Sequence, residues 1–263
     1  MKIFFLNTKK ESTREAVQKN VGRFLAEYKA FQPDAVIISD DDGMREAIVP
    51  YVLKDSVPLI FCGINWSASE YRLPNTTTTG ILEVLPVLPL ISSIRIFYPQ
   101  LHTVTVLTEN SIVEKKNAMY LGELFNSVSL VPTYKMVADF DSWKKEFVSA
   151  NLDTDLIYLP TNGTIKNWNT EEAISFVRAN IKKPVVTCDD FMMPYAVYGE
   201  TKVAAEQGEW AIEKAIAILS GTSPSNIPVT QNVTSKRWWN KTLATKLGLH
   251  PDKQFLANLN FAK

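Results

Sequence analysis

Apolar residues fall into short runs, and the stretches between them repeat with the 3.6-residue spacing of a helix. Residues 2–6, 34–39, 58–62, 103–108, 131–137, 155–160 and 184–188 are the predicted strands. Runs such as Ala35-Val36-Ile37-Ile38 and Pro58-Leu59-Ile60-Phe61 are apolar without alternation, as in strands covered by helices on both faces. Val17, Val21, Leu25 and Tyr28 form one helical stripe, and Ser12 with Glu15 has capping-box spacing ahead of it. Ala47, Ile48, Tyr51 and Val52 form another stripe. A third helix starts near Asn169, spaced to cap with Glu172, and carries Ala173, Phe176, Val177 and Ile181. The longest clear helix covers 204–220, with Trp210, Lys214 and Ile218 on neighbouring turns and Gly221 as its stop.

The order strand, helix, strand, helix predicts a doubly wound α/β protein with parallel sheets flanked by helices. Two passages break the rhythm. Asn75 to Gly80 reads NTTTTG, and Pro86 and Pro89 then argue against an interior helix before Phe97. Residues 189–200 hold Asp-Asp, Met-Met-Pro, two tyrosines and Gly199. Two such interruptions predict a chain that crosses between two lobes: 1–85 with 199–229 as the first, 86–198 with 230–263 as the second.

Lys plus Arg and Asp plus Glu each number 28, so no whole-molecule field draws this chain to nucleic acid or an anionic membrane. The basic aromatic cluster Lys236, Arg237, Trp238, Trp239 and Lys241 is compact, and reads as a packed Trp with exposed cations. No run approaches the roughly 18 apolar residues that a membrane span needs. The apolar run at 2–6 is too short for a signal h-region, so no export signal is read in the sequence. Cys62 and Cys188 each end an apolar run and read as buried free thiols. With only His102 and His250 for imidazole, and a poor case for three consecutive aspartates (Asp40 to Asp42) converging on one cation, no metal site is expected. Dinucleotide, Walker and nucleophile-elbow motifs are missing, so neither a cofactor nor a catalytic residue is assigned.

In open parallel sheets ligands bind beyond the carboxyl ends of the strands. The residues there are Asp40, Asp41, Asp42 and Gly43; Gly63, Ile64, Asn65 and Trp66; Thr108 and then Glu109, Asn110 and Ser111; Thr161, Asn162, Gly163 and Thr164; and Asp189 with Asp190. Asp42 and Ser111 read as helix caps. For Asp41, Asn65, Asn162 and Asp189, capping and ligand contact both remain open. Trp66, Trp168, Phe191 and Tyr195 lie close by and would either flank an organic ligand or pack. Carboxylates gathered in this way favour an ammonium-bearing ligand over a phosphate.

FQPDAVIISDDDGM, PLIFCGINWSASEY and the passage through Thr79, Gly80 and Glu83 resemble the ABC-transporter substrate-binding family that includes tryptophan- and tyrosine-type binding proteins. EQGEWAIEKAIAILSGTSPSNIPV and WWNKTLATKLGL resemble its returning helix and closing segment, so the resemblance covers nearly the whole chain. It implies a type I periplasmic-binding-protein-like fold closing over a small solute. It also implies that Ser39 and Asp41 lie on a ligand loop, Asn65 in the CG-x-N turn, Asn162 and Asp189 on loops of the second lobe, and Thr79 and Gly80 near the first crossing. One further strand-helix unit ahead of residues 2–6 is implied, without which the first lobe is incomplete and a homodimer through it is one outcome.

The expected function is a non-enzymatic solute receptor of an ABC uptake system. A small polar organic molecule, an amino acid ahead of a sugar, binds in the interlobe cleft, with an ABC permease as partner and an extracytoplasmic location. The expected ligand contacts are Ser39, Asp41, Asn65, Trp66, Thr79, Thr108, Asn162 and Asp189. A ligand-sensing receptor of the same fold and an α/β enzyme are the alternatives.

Overall fold

The computed structural model describes residues 1–8, 10–11, 13–257 and 259–262. In chain order the elements are α1 (Arg14–Phe31), β1 (Val36–Ser39), α2 (Asp41–Gly43), a π-helical turn pair (Met44–Val52), β2 (Leu59–Asn65), β3 (Thr78–Glu83), α3 (Val87–Ile94), β4 (Thr103–Glu109), α4 (Ile112–Ser127), β5 (Val131–Val137), α5 (Phe140–Asp153), β6 (Leu156–Tyr158), α6 (Thr170–Asn180), β7 (Val185–Thr187), β8 (Tyr198–Lys202), α7 (Ala204–Leu219), β9 (Thr230–Gln231), β10 (Ser235–Asn240), α8 (Lys241–Lys246), α9 (Lys253–Leu256) and β11 (Asn260–Ala262). Short 3-10 turns include Ser69–Tyr71 and Asp190–Tyr195. The chain divides into two compact units: Met1–Val84 with Ala204–Asn232, and Leu85–Val203 with Val233–Lys263.

The first unit carries a parallel sheet in the order β1-β2-β3-β9. The unbroken apolar run of β2 follows from its two covered faces. Leu59, Phe61 and Ile64 pack with Met44, Ile48, Val52 and Tyr71 on one side, while Ile60 and Cys62 pack with Ala211, Ala215 and Ile218 of α7 on the other. Gly80 on β3 lets the Phe61 ring lie across the neighbouring strand, because a Cβ there would sit 2.2 Å from that ring.

The second unit holds a mixed sheet in the order β11-β10-β8-β7-β6-β4-β5, parallel except for the β8–β10 pair. Trp143 of α5 is fully buried against Phe140 and Phe147 of the same helix and against Trp168. A second aromatic cluster joins Trp239 and Tyr198 of the sheet to Phe97 and Phe255. Trp239 is the buried member of the basic aromatic stretch, whereas Arg237 lies over Phe255 and Lys241 over Phe261.

Caps form where the sequence places them on α6, whose Asn169 side chain accepts from Glu172 N, and on α4, whose Ser111 accepts from Glu114 N. The Ser12 half of the predicted capping box lies outside the described residues; Thr13 is the cap of α1 and accepts from Ala16 N. Three expectations need correction. Residues 86–97 do contain a helix, α3 (Val87–Ile94), because Pro86 stands at its N-cap and Pro89 in its first turn, where a missing N–H costs no helical bond. Residues 2–6 form no strand and join no sheet among the described residues. Residues 199–203, expected in the first lobe, belong to the second unit, since β8 pairs with β7 and β10; residues 230–232, expected in the second, belong to the first through β9.

Candidate functional site

In the first unit the carboxyl ends of β1, β2 and β3 carry the polar side chains. The chain leaves β1 through Asp40 at φ +78° and turns after β2 through Trp66 at φ +63°, both left-handed conformations that a non-glycine residue adopts only when its surroundings hold it there. Gly63, at φ +65°, marks the bulge where β2 shifts register against β3. Its N–H donates to Gln207 Oε1 of α7 at 2.8 Å, and the Gln207 amide donates in turn to Leu82 O at 3.1 Å.

Asp41 is the organiser of this end. Its carboxylate is buried and accepts from Asn65 N at 3.1 Å, Asn65 Nδ2 at 2.8 Å and Tyr71 OH at 2.8 Å. Burial first, and then the bond to Asp41, hold the Tyr71 hydroxyl well above the ordinary phenol range, so it remains a donor. Asp41 and Asn65 are therefore brought together, but by each other: one ties the end of β1 to the end of β2. Ser39 is exposed beside Gly63, and Trp66 is half-buried. Thr79 needs correction as a ligand contact. It is fully buried inside β3, and its hydroxyl donates to Ile227 O at 2.8 Å, a bond that fastens the segment after α7 to the sheet.

In the second unit the ends of β4, β6 and β7 meet. Thr108 is buried, its hydroxyl 2.9 Å from Glu114 Oε2 and 3.3 Å from Thr161 O, which makes it a brace between α4 and the loop after β6 and corrects its reading as a contact. Glu109 accepts from Thr164 N at 2.6 Å and so shapes the loop that presents half-exposed Asn162. Asp189 follows β7, with its backbone N–H on Thr187 Oγ1 and its carboxylate 3.4 Å from Lys202 Nζ. Trp168 and Tyr195 are packing residues, in edge contact at 5.3 Å with the indole N–H donating to the Tyr195 hydroxyl.

Neither Gln207, Tyr71 nor Glu114 is singled out by the sequence. Gln207 lies on a helix more than a hundred residues from Gly63 and Leu82, and Tyr71 and Glu114 look like ordinary helical positions. Glu114 carries the strongest electrostatic perturbation of a carboxyl here. Burial raises it to about 7, and the nearby charges of Glu109 and Asp189 add to the rise against hydrogen bonds from Thr108 and Asn117. A carboxyl raised in the folded state keeps its proton while the unfolded chain loses it, so stability falls as pH rises from about 4.5 to about 7 and is flat above. Glu114→Gln keeps both hydrogen-bond positions without the ionisation. Urea titrations at pH 5 and pH 8 are expected to show a smaller pH slope in the variant, which gains about 3 kcal/mol relative to the parent across that interval.

Both cysteines are free and buried, and burial pushes both thiols up, away from the reactive thiolate. Among the described residues no group of three His, Cys, Asp or Glu side chains has metal-ligand geometry, and no helix is long and apolar enough to cross a membrane.

The chain is similar in fold to a ligand-free, open substrate-binding protein with adhesive properties from Clostridium difficile, with a TM-score of 0.72 and 17% identity over 93% of this chain and 83% of that one. It is similar to an ABC domain in complex with L-Trp from Streptococcus pneumonia, with a TM-score of 0.67 and 18% identity over 93% and 85%. A conserved domain protein from Vibrio cholerae gives a TM-score of 0.67 and 17% identity over 93% and 82%. No protein of curated function matches the sequence. The family model described as ABC transporter substrate binding protein matches residues 45–260, a span that takes in the Asn65 turn, the loops carrying Asn162 and Asp189, and α7. Two α/β units with polar strand ends, and a match over most of the length, lead to one assignment: the chain belongs to the ABC transporter substrate-binding protein family, extracytoplasmic receptors of type I periplasmic-binding-protein fold that bind a solute without transforming it.

Proposed function

We propose that the solute is a small polar organic molecule carrying an ammonium group, an amino acid ahead of a sugar. It is held between the strand-end loops of the two lobes, which close on it and then engage an ABC permease. The observation that carries this reading is the chemistry of those ends. Ser39 and Trp66 in one unit, and Asn162 and Asp189 in the other, lie on loops that buried braces fix in place. Carboxylates outnumber cations among them, with Glu109 and Asp189 against Lys202, a balance that suits a cationic group. The L-Trp bound by the Streptococcus pneumonia domain supports an amino acid with an apolar side chain, for which Trp66 offers an aromatic face.

Native mass spectrometry of gently purified protein, with and without an equimolar pool of the twenty amino acids, tests the reading. A single retained amino acid is expected, and titration calorimetry with that amino acid should show at least a tenfold loss of affinity in Asp189→Ala. A folded monomer that retains a sugar, or nothing from the amino-acid pool, overturns it.

A further inference from the structure

The chain passes between its two compact units three times: after Val84, before Ala204 and after Asn232. On the first-unit side, two buried side-chain amides stand at these places. The amide of Asn232 takes both backbone groups of Val84. Its Oδ1 accepts from Val84 N at 2.7 Å, and its Nδ2 donates to Val84 O at 3.2 Å. The backbone N–H of Asn232 donates to Leu82 O, also at 3.2 Å. Gln207, in the first turn of α7, donates to the same Leu82 O at 3.1 Å and reaches Asn232 Oδ1 at 3.5 Å. Its own Oε1 is the acceptor for Gly63 N in β2.

The ladder between β3 and β9 is short, pairing only Ile81 with Thr230 and Leu82 with Gln231. A primary amide offers the donor and acceptor of a peptide group, so Asn232 continues that ladder to Val84 with its side chain. Burial keeps water from competing for these bonds. Gln207 then joins the remaining crossing to the other two, because residue 203 alone separates β8 from α7. Just beyond these bonds the backbone belongs to no helix or strand, at residues 84–86, 203 and 232–234. Short stretches of this kind absorb the torsion changes of domain closure.

We propose that Asn232 and Gln207 are positioning residues for lobe closure. Their amides clasp the three crossings into one group on the first-unit side and confine bending to residues 85–86, 203 and 233–234. This rests on the closure reading above, and adds to it where the chain bends and which side chains set that place. Without the clasp, a ladder of two residue pairs lets the bend run back into β3. The end of β3 supports the solute loop, since Glu83 O accepts from Trp66 N at 2.9 Å. The clasp thus lets the lobes move while the Trp66 turn keeps its shape.

Spin labels at Ser56→Cys and Lys145→Cys, exposed positions in the first and second units, report the distance between units by double electron–electron resonance. The native thiols of Cys62 and Cys188 are buried. In solute-free protein, Asn232→Ala and, separately, Gln207→Ala should each widen the distance distribution. Hydrogen exchange should quicken about tenfold or more at the Val84 amide in the first variant and at the Gly63 amide in the second. Thr79→Val removes a buried hydrogen bond from the same sheet away from the crossings, and should keep the parent's width. That control separates the clasp from a general loss of stability, and Gln207→Ala carries the test if Asn232→Ala does not fold. Faster exchange with an unwidened distribution in a folded variant overturns the inference, as does equal widening in Thr79→Val. Adding the pool of twenty amino acids tests closure separately. A parent distribution that the pool leaves unmoved overturns the closure reading, while the solute-free comparison still decides where the chain bends.

Discussion

Asp41→Ala is expected to destabilise the first unit by about 3 kcal/mol or more and to abolish solute binding, the largest effect of any single polar substitution at the site. Three donors converge on this one buried carboxylate: the backbone and side-chain N–H groups of Asn65 and the hydroxyl of Tyr71. Alanine takes this acceptor from the buried Tyr71 hydroxyl and from two N–H groups of half-buried Asn65, and each unsatisfied buried donor costs about 1–3 kcal/mol. Asp41→Asn separates the loss of charge from the loss of shape. Its amide oxygen still accepts from Asn65, and its NH2 can donate to the Tyr71 oxygen, so a loss of only about 1 kcal/mol is expected. Urea unfolding checks both, followed as two transitions because the chain has two units. An alanine variant as stable as the parent would mean that the ends of β1 and β2 are held by something other than this carboxylate.

Trp143→Ala is expected to cost the second unit about 3–5 kcal/mol, the range for removing a fully buried large aromatic side chain. The indole stacks on Phe140 and Phe147, with centroids at 6.0 and 5.1 Å, and meets Trp168 edge-on at 5.0 Å. Trp168 is itself held by Tyr195, and it follows the loop that presents Asn162. The cavity left by alanine therefore loosens a site loop as well as the core. A drop in the melting temperature of the second unit by about 10 °C should accompany weaker solute binding. Trp143→Phe keeps one ring in the stack and should recover most of both.

The two lobes differ in how far their sequence gives them away. β5 has the predicted bounds, 131–137, and β4 extends the predicted strand by one residue, because apolar and β-branched residues predominate in both. β3 hides in NTTTTG, where threonines and a glycine read as a loop; only burial between β2 and β9 makes Thr78, Thr79 and Gly80 a strand. The run at 2–6 shows the opposite case. Its composition is that of a strand, but a strand needs a partner, and the nearest sheet edge lies across a groove.

At the site the same division holds. The rule that ligands gather beyond the carboxyl ends of parallel strands picked out Asp41, Asn65, Asn162 and Asp189 from the order of elements. It did not distinguish a residue that faces solvent from one that braces its neighbour, and Thr79, placed by resemblance near the first crossing and expected as a contact, is sealed in the sheet. Glu114, Tyr71 and Gln207 had no local signal, since each acts only on groups brought to it by folding.

By itself the sequence determined the α/β class, the strand-end loops and the absence of enzyme motifs, because hydrophobic period and residue chemistry are properties of short segments. Only the tertiary structure decided which polar groups are occupied by one another, which proline-flanked stretch is a helix, and which strand-like run joins no sheet among the described residues. Those outcomes depend on partners distant in sequence, and a hydrogen bond or a buried surface exists only when both partners are in place.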